Sequence, residues 1–301
     1  MTLENNANLI QGGTTNTNMG NVIVKRNSNP LLRLDYTMWS SPVSGTQTLA
    51  DFSPLTSQSS PNRFYTFDSA NDLYTNVAPT TPFATGAGYL IRMPNDASEA
   101  TSTAYPGVFS GKPNSGDINV TTVPNKYNGM GNPYPSVIDA ELFKFSNADI
   151  NTLYFWRKTN NLNQGTTPTT SYASYNIASA TGVGVAPDGA AAGQPTVNPD
   201  KYIQVGQGFL FTTAQSSVVF NNGMRVANNG NKILKTKQVY KSRIWLNLSN
   251  PNWPINQMAL CYVEGATQGV DESDSKYFND SQTALTSLIN NEEYILSLIH
   301  I

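Results

Sequence analysis

The 301-residue chain is short of charge and has one cysteine and one histidine. It carries 18 basic and 20 acidic side chains, 13 % of the total, for a formal net charge of −2. An ordinary soluble domain is roughly 25 % charged. One cysteine and one histidine exclude an internal disulfide, a Cys/His zinc site and a pair of histidine ligands. The balanced charge lacks the basic footprint of a nucleic-acid-binding protein, so no nucleic acid is expected as partner. No apolar run approaches the ~18 residues that would cross a bilayer, so no membrane span is expected. Met1–Asn6 lacks the basic and apolar regions of a signal peptide. A Ser-His-Asp mechanism would have to use His300, one residue from the end.

Asn, Thr, Ser and Gly take the place of charge. Asn alone is about 12 % of the chain, while 39 % hydrophobic and 10 % aromatic residues suffice for a core. Short strands need many turns, and Asn, Gly, Asp and Pro each supply turn geometry, so the composition suits an extracellular all-β protein. Short apolar or alternating runs bounded by turn residues mark strands at Val22–Val24, Tyr36–Trp39, Phe64–Phe67, Tyr89–Met93, Ile118–Val123 and Leu153–Trp156. The same pattern marks Tyr172–Ile177, Tyr202–Val205, Phe209–Phe211, Val218–Phe220, Ile244–Leu248 and Met258–Val263. A helical turn or two is expected at Ser136–Phe143, with Ser136 and Asp139 as caps, and at Ser281–Ile289. Gly165–Thr170 and Ala178–Pro199, with little to pack, are expected as mobile surface loops.

These signals predict a β-sandwich or jelly-roll-like domain over residues 30–229. It is preceded, over 1–29, by the end of a repetitive β-structure in which Leu3, Leu9 and Ile10 face inward and Asn5 and Asn6 turn a corner. A composition shift at Ala227–Asn231 marks a boundary, and 230–295 reads as the start of a second β-sandwich. Past it, Lys232, Lys235, Lys237, Lys241 and Arg243 read as charges that blunt an edge strand. The last residues, 296–301, resemble the translated read-through of a sequencing adaptor, so the natural sequence is expected to stop near Tyr294 or Ile295.

Gly131-Asn132-Pro133-Tyr134-Pro135-Ser136 reads as a proline-stiffened turn that holds Tyr134 against a sheet. Gly206-Gln207-Gly208 lacks the third glycine and following helix of a phosphate loop, and reads as a bulge or a crowded strand crossing. In order along the chain stand Trp39-Ser40-Ser41-Pro42-Val43, Thr85-Gly86-Ala87-Gly88-Tyr89, the Gly131–Ser136 turn, Leu153–Lys158 and Ile203–Phe209. Phe220-Asn221-Asn222-Gly223, Arg243–Leu248 and Gly265–Asp271 follow. This ordered set resembles the C-terminal regions of large secreted Bacteroidetes proteins, especially flavobacterial ones, exported by the type IX secretion system. The resemblance runs from about Leu3 to Tyr294. It implies a non-catalytic structural or adhesive module at the cell surface or outside the cell. Its partner would be the secretion machinery, through a type A sorting domain that this chain lacks. Asn128-Gly129-Met130 departs from the pattern, where a more hydrophobic strand is expected.

The acidic loop Asp271–Asp280 offers Asp271, Asp274 and Asp280 as oxygen ligands for Ca²⁺, without EF-hand spacing. Asp139 with Glu141, and Glu264 with Asp271, are acids that no sequence feature pairs across a cleft as a glycosidase needs. Trp39 and Trp156 alternate with apolar residues and read as core. Trp253, in Asn252-Trp253-Pro254, reads as an exposed turn residue that would stack on sugar, the basis of an alternative role as a carbohydrate-binding module. Asp68-Ser69-Ala70 resembles a Bacteroidetes O-glycosylation acceptor. Cys261 reads as a buried small hydrophobe.

Overall fold

The computed structural model describes residues 1–157, 171–184, 198–227, 243–250, 253–263, 266–267, 269–279 and 284–298. The chain is all-β and sandwich-like, with several sheets, two short α-helices and one 3-10 turn among the described residues. It divides into two compact units: Met1–Ile150 with Tyr202–Ile233, and Asn151–Lys201 with Leu234–Ile301. Residues 151–201, expected inside the principal domain, instead share a unit with the C-terminal segment.

In the first unit, one sheet runs in the order β1 (Thr2–Leu3), β2 (Val22–Leu31), β8 (Thr103–Pro113), β4 (Val43–Ser44). A second runs β3 (Tyr36–Trp39), β7 (Tyr89–Arg92), β5 (Phe64–Asp68), β6 (Leu73–Asn76). Residue alternation places Val22 and Val24 of β2 and Phe109 of β8 on one inner face, and Trp39, Phe64, Tyr89 and Ile91 on the other. Helix α1 (Leu49–Phe52) adds Phe52 to the same core, stacked on Phe109 at 4.6 Å. It starts at a capping box: Thr48 Oγ1 accepts from Asp51 N, and Asp51 Oδ2 accepts from Thr48 N. Shorter pairs complete the unit: β9 (Ile118–Thr121) with β17 (Ser217–Phe220), β10 (Lys126–Gly131) with β16 (Gly208–Thr213), and β11 (Val137–Asp139) between β15 (Tyr202–Ile203) and β18 (Arg225–Val226). Helix α2 (Ala140–Ser146) presents Phe143, which is stacked on Phe220 at 5.0 Å.

In the second unit, β13 (Tyr172–Asn176) lies between β12 (Thr152–Trp156) and β14 (Thr181–Val183). Another sheet runs β19 (Arg243–Asn250), β20 (Trp253–Cys261), β23 (Glu292–Leu298), β21 (Ser275–Lys276), and β22 (Ser287–Ile289) also pairs with β23. Val183, Ala259, Cys261, Tyr277, Ile295 and Leu296 form the apolar core there.

Several local expectations are corrected. The helix begins at Ala140, after a strand, because Asp139 is its N-cap: Asp139 Oδ1 accepts from Glu141 N at 2.8 Å. Ser136 caps nothing; it is buried, and its Oγ accepts from Arg225 Nε. Ser287–Ile289, read as helical, is a strand, because Asn290 and Asn291 take φ of 52° and 65° and turn the chain back into β23. Ala178–Val183, read as a loop, is a buried turn and strand in which Asn176 Oδ1 accepts from Ser179 N. Only β1 of residues 1–29 adds a short parallel pairing to β2; Ile10 is 46 % exposed, not inward. Asn6 does turn its corner with φ of 68°.

The departure at Asn128-Gly129-Met130 has a steric cause. A Cβ at Gly129 would lie 2.6 Å from Phe67 Cβ, so only glycine lets β10 approach β5. Asn128 is buried and spends its amide on the main chain, accepting from Val123 N and donating to Val123 O and Lys126 O. Gly206-Gln207-Gly208 is the expected crowded crossing: a Cβ at Gly208 would meet Met38 Cγ at 2.5 Å. The closing residues 296 and 297 lie in β23, with Leu296 fully buried.

Candidate functional site

The residues singled out for binding serve the fold where they are described. Asp271 Oδ1 accepts from Ser273 N at 2.9 Å and Oδ2 from Thr267 N at 2.9 Å, while Asp274 Oδ2 accepts from Asp271 N at 2.9 Å. These carboxylates order their own loop, as Asp does in turns. Asp280 lies outside the described residues, as do Glu264, His300 and the lysines from Lys232 to Lys241. Among the described residues no three His, Cys, Asp or Glu come together as a metal group. The backbone of Trp253 opens β20 opposite Asn250, at the end of the hairpin from β19; its side chain lies outside the described structure. Arg243, the described member of the basic cluster, opens β19 and donates from Nη2 to Ser179 O at 3.0 Å. Trp39 is in the core, and Cys261 is fully buried beside Thr181 Oγ1.

The proline turn is the centre of a buried polar network in the first unit. Asn132 Nδ2 donates to Ser136 O, Ile203 O and Gln204 O, and its Oδ1 accepts from Tyr134 N at 2.9 Å. Tyr134 is fully buried, and its hydroxyl donates to Gly116 O at 2.5 Å. The Arg225 guanidinium lies 4.8 Å over the Tyr134 ring. Arg225 also donates to Ser136 Oγ, Asn222 Oδ1 and Leu9 O. Burial lowers its pKa to about 10. Arg26, equally buried, has its pKa lowered to about 10 by burial and donates to the amide oxygens of Asn6 and Gln204. Oxygens of amides, hydroxyls and main chain thus hold both cations.

A different cluster lies half-buried at one end of the face of β3, β7 and β5 on which Met38, Leu90 and Phe67 are covered. Tyr36 on β3 pairs with Arg92 on β7, and Arg92 N donates to Arg63 O just before β5. Arg63, Arg92 and Tyr36 therefore form one cross-strand row, and Tyr65 follows Arg63 two residues along on the same face. The Tyr36 and Tyr65 rings meet edge on at 5.9 Å. Arg63 Nη1 donates to Tyr65 Oη at 3.2 Å, and this bond is the main cause that raises the Arg63 pKa. Burial pushes the Tyr36 phenol up to about 12, with the neighbouring Tyr65 adding to it. Burial also raises Tyr65, but the bonds from Arg63 and Asn76 outweigh it and the net direction is down. Burial lowers Arg92, whose charged neighbours include Arg63 and Arg33. Arg33 is ion-paired with Glu99; neither Arg63 nor Arg92 has an ion pair among the described residues.

Sequence reasoning missed this row. Arg63 precedes one run recognised as a strand and Arg92 lies within another, but only strand register shows that they meet.

No curated protein and no solved structure matches the chain. A family model does match, over residues 1–297. The chain belongs to the family described as Domain of unknown function (DUF8693).

Proposed function

We propose that the chain is a non-catalytic structural or adhesive module of a secreted or cell-surface Bacteroidetes protein exported through the type IX system. One observation carries the non-catalytic part. Asp35, Asp68, Asp139, Asp149, Asp271 and Asp274 each accept a main-chain N–H at a turn or cap. Acids used in this way hold turns in place, whereas hydrolysis of a glycosidic bond needs two carboxyl groups facing each other across a cleft. The motif residues behind the resemblance are likewise committed to folding, as Asn132, Tyr134 and Gly208 illustrate.

The purified chain, incubated with a panel of plant and algal polysaccharides, is expected to release no reducing sugar; release would overturn the reading. In a flavobacterium carrying the gene, protease added to intact cells is expected to shave the module from the surface. Protection from protease until the cells are broken would refute the location.

A second reading, a carbohydrate-binding module accessory to a polysaccharide-degrading enzyme, is favoured by the half-buried row of Arg63, Arg92 and Tyr36 with Tyr65 beside it.

A further inference from the structure

Arg63 and Arg92 are cross-strand neighbours of like charge, an arrangement that disfavours the sheet. Folding alone does not account for it, and no carboxylate among the described residues pairs with either guanidinium. Arg33, the third guanidinium acting on Arg92, is already matched by Glu99. Arg92 Nη2 donates to the neutral Asn95 Oδ1 at 2.5 Å, and its buried Nε has no acceptor. The row is thus a concentration of positive charge in a chain whose net charge is −2. Two phenol rings border it, and Asn76 lies opposite Tyr65 on the neighbouring strand.

We propose that this row binds an acidic polysaccharide, with the oxyanion of a sugar held between Arg63 and Arg92 and the sugar ring set against Tyr36 and Tyr65. The planar guanidinium matches a carboxylate or sulfate through paired hydrogen bonds. The phenols offer an apolar ring surface with a polar tip, which suits a sugar ring beside its charged substituent. An acidic peptide would satisfy the guanidiniums but has less use for paired phenols on a sheet face. The inference deepens the carbohydrate-binding reading and rests on it; the structural reading does not depend on it.

Affinity electrophoresis and calorimetry of the whole chain test it with four probes: polygalacturonate, dextran sulfate, neutral dextran and polyglutamate. The wild type is expected to bind one or both acidic polysaccharides and not dextran. Polygalacturonate alone would assign a carboxylate ligand, and dextran sulfate alone a sulfate. Arg63→Gln and Arg92→Gln, checked for folding by circular dichroism, are each expected to weaken binding by about tenfold, the worth of a lost charge-assisted bond. Lys126→Gln removes the same charge elsewhere and is expected to change nothing. Failure of the wild type to bind any polysaccharide overturns the carbohydrate reading together with the site. Binding that survives both arginine variants, or falls equally in Lys126→Gln, overturns the site alone. Polyglutamate binding as tight as that of the sugars overturns the polysaccharide assignment.

Discussion

The two units supply hydrogen-bond donors to main-chain carbonyls in different ways. In the first unit, residues Leu9 to Asn18 run without strand pairing, and their carbonyls need donors from elsewhere. Arg225 reaches Leu9 O, Asn222 reaches Gly12 O and Gly13 O, and Asp117 N reaches Thr14 O. A guanidinium carries five donors in a rigid fork, so one side chain can join several segments. In the second unit Arg243 reaches Ser179 O, and an amide carries more of the corresponding work: Asn176 Nδ2 donates to Glu272 O and Asp274 O, and its Oδ1 accepts from Ser179. Thr152 and Ser275 add a hydroxyl pair at 2.9 Å. Glu272 and Asp274 also lie outside strands, so what differs is reach: the Arg225 guanidinium joins Leu9, Ser136 and Asn222, whereas the Asn176 amide serves the turns at Ser179 and at Glu272–Asp274.

Substitutions can break this comparison. The largest effect is expected from Tyr134→Ala, which removes a fully buried ring, its hydrogen bond to Gly116 O and the surface beneath Arg225. The loss should be about 4 kcal/mol, read from the denaturant midpoint of the first unit's transition. Arg225→Leu should cost about 3 kcal/mol, by orphaning several buried acceptors and removing the contact with Tyr134. Hydrogen exchange should then quicken at Leu9 and Asp117, whose amides donate to Pro135 O and Thr14 O. Retained protection there would show that the arginine is not what holds the segment. Asn176→Ala, the counterpart in the second unit, should cost about 2 kcal/mol, because fewer acceptors depend on it. An equal or larger loss would erase the distinction between arginine and amide.

Alkaline pH gives a smaller and separable effect. Tyr36, held up to about 12 chiefly by burial, and Tyr294, held up to about 12 by burial and by Glu292, both lie above their ordinary value of 10.0. A phenol with a raised folded-state pKa contributes stability that is fully present below the unfolded value. That contribution is lost as pH rises through the folded value, so stability should fall between about pH 10 and 12. Tyr65 shifts the other way and should ionise first in an ultraviolet absorbance titration. Tyr65→Phe should remove that early step; an unchanged titration would refute the Arg63 to Tyr65 contact.

The smallest effect on stability is expected at β19, where Ile244, Leu246 and Leu248 are 43, 40 and 42 % exposed on an edge strand. Leu246→Lys should change stability by less than about 0.5 kcal/mol. It should also raise the concentration at which the chain stays monodisperse in light scattering, since a charge blunts an apolar edge.

Period-two apolar runs located β3 at Tyr36–Trp39 and the cores of β5, β7, β12, β13 and β16, because alternation follows from strand geometry alone. The longest strand among the described residues, β8, escaped notice. Its alternation runs through Gly107, Ser110, Gly111 and Pro113, and its partner β2 is distant in sequence. Asn residues were legible as turn formers, which Asn6, Asn290 and Asn291 are. The burial of Asn132, Asn128 and Asn176 was not, since a local pattern does not say which distant carbonyls will lack a partner. Likewise, nothing in the spacing of Arg63 and Arg92 announces that a register will set them side by side.

By itself the sequence determined the all-β class, the positions of most strands, the proline turn at Gly131–Ser136 and the glycine-dependent crossing at Gly208. Each of these depends on φ preferences, side-chain alternation or the space around a missing Cβ, all of which act over a few residues. Tertiary structure alone decided that residues 151–201 belong with the C-terminal segment. It also buried Arg26 and Arg225 among neutral oxygens and set Arg63 beside Arg92 with no carboxylate paired to either among the described residues. Those outcomes depend on strand register and on hydrogen-bond partners up to about two hundred residues away, which local propensity does not encode.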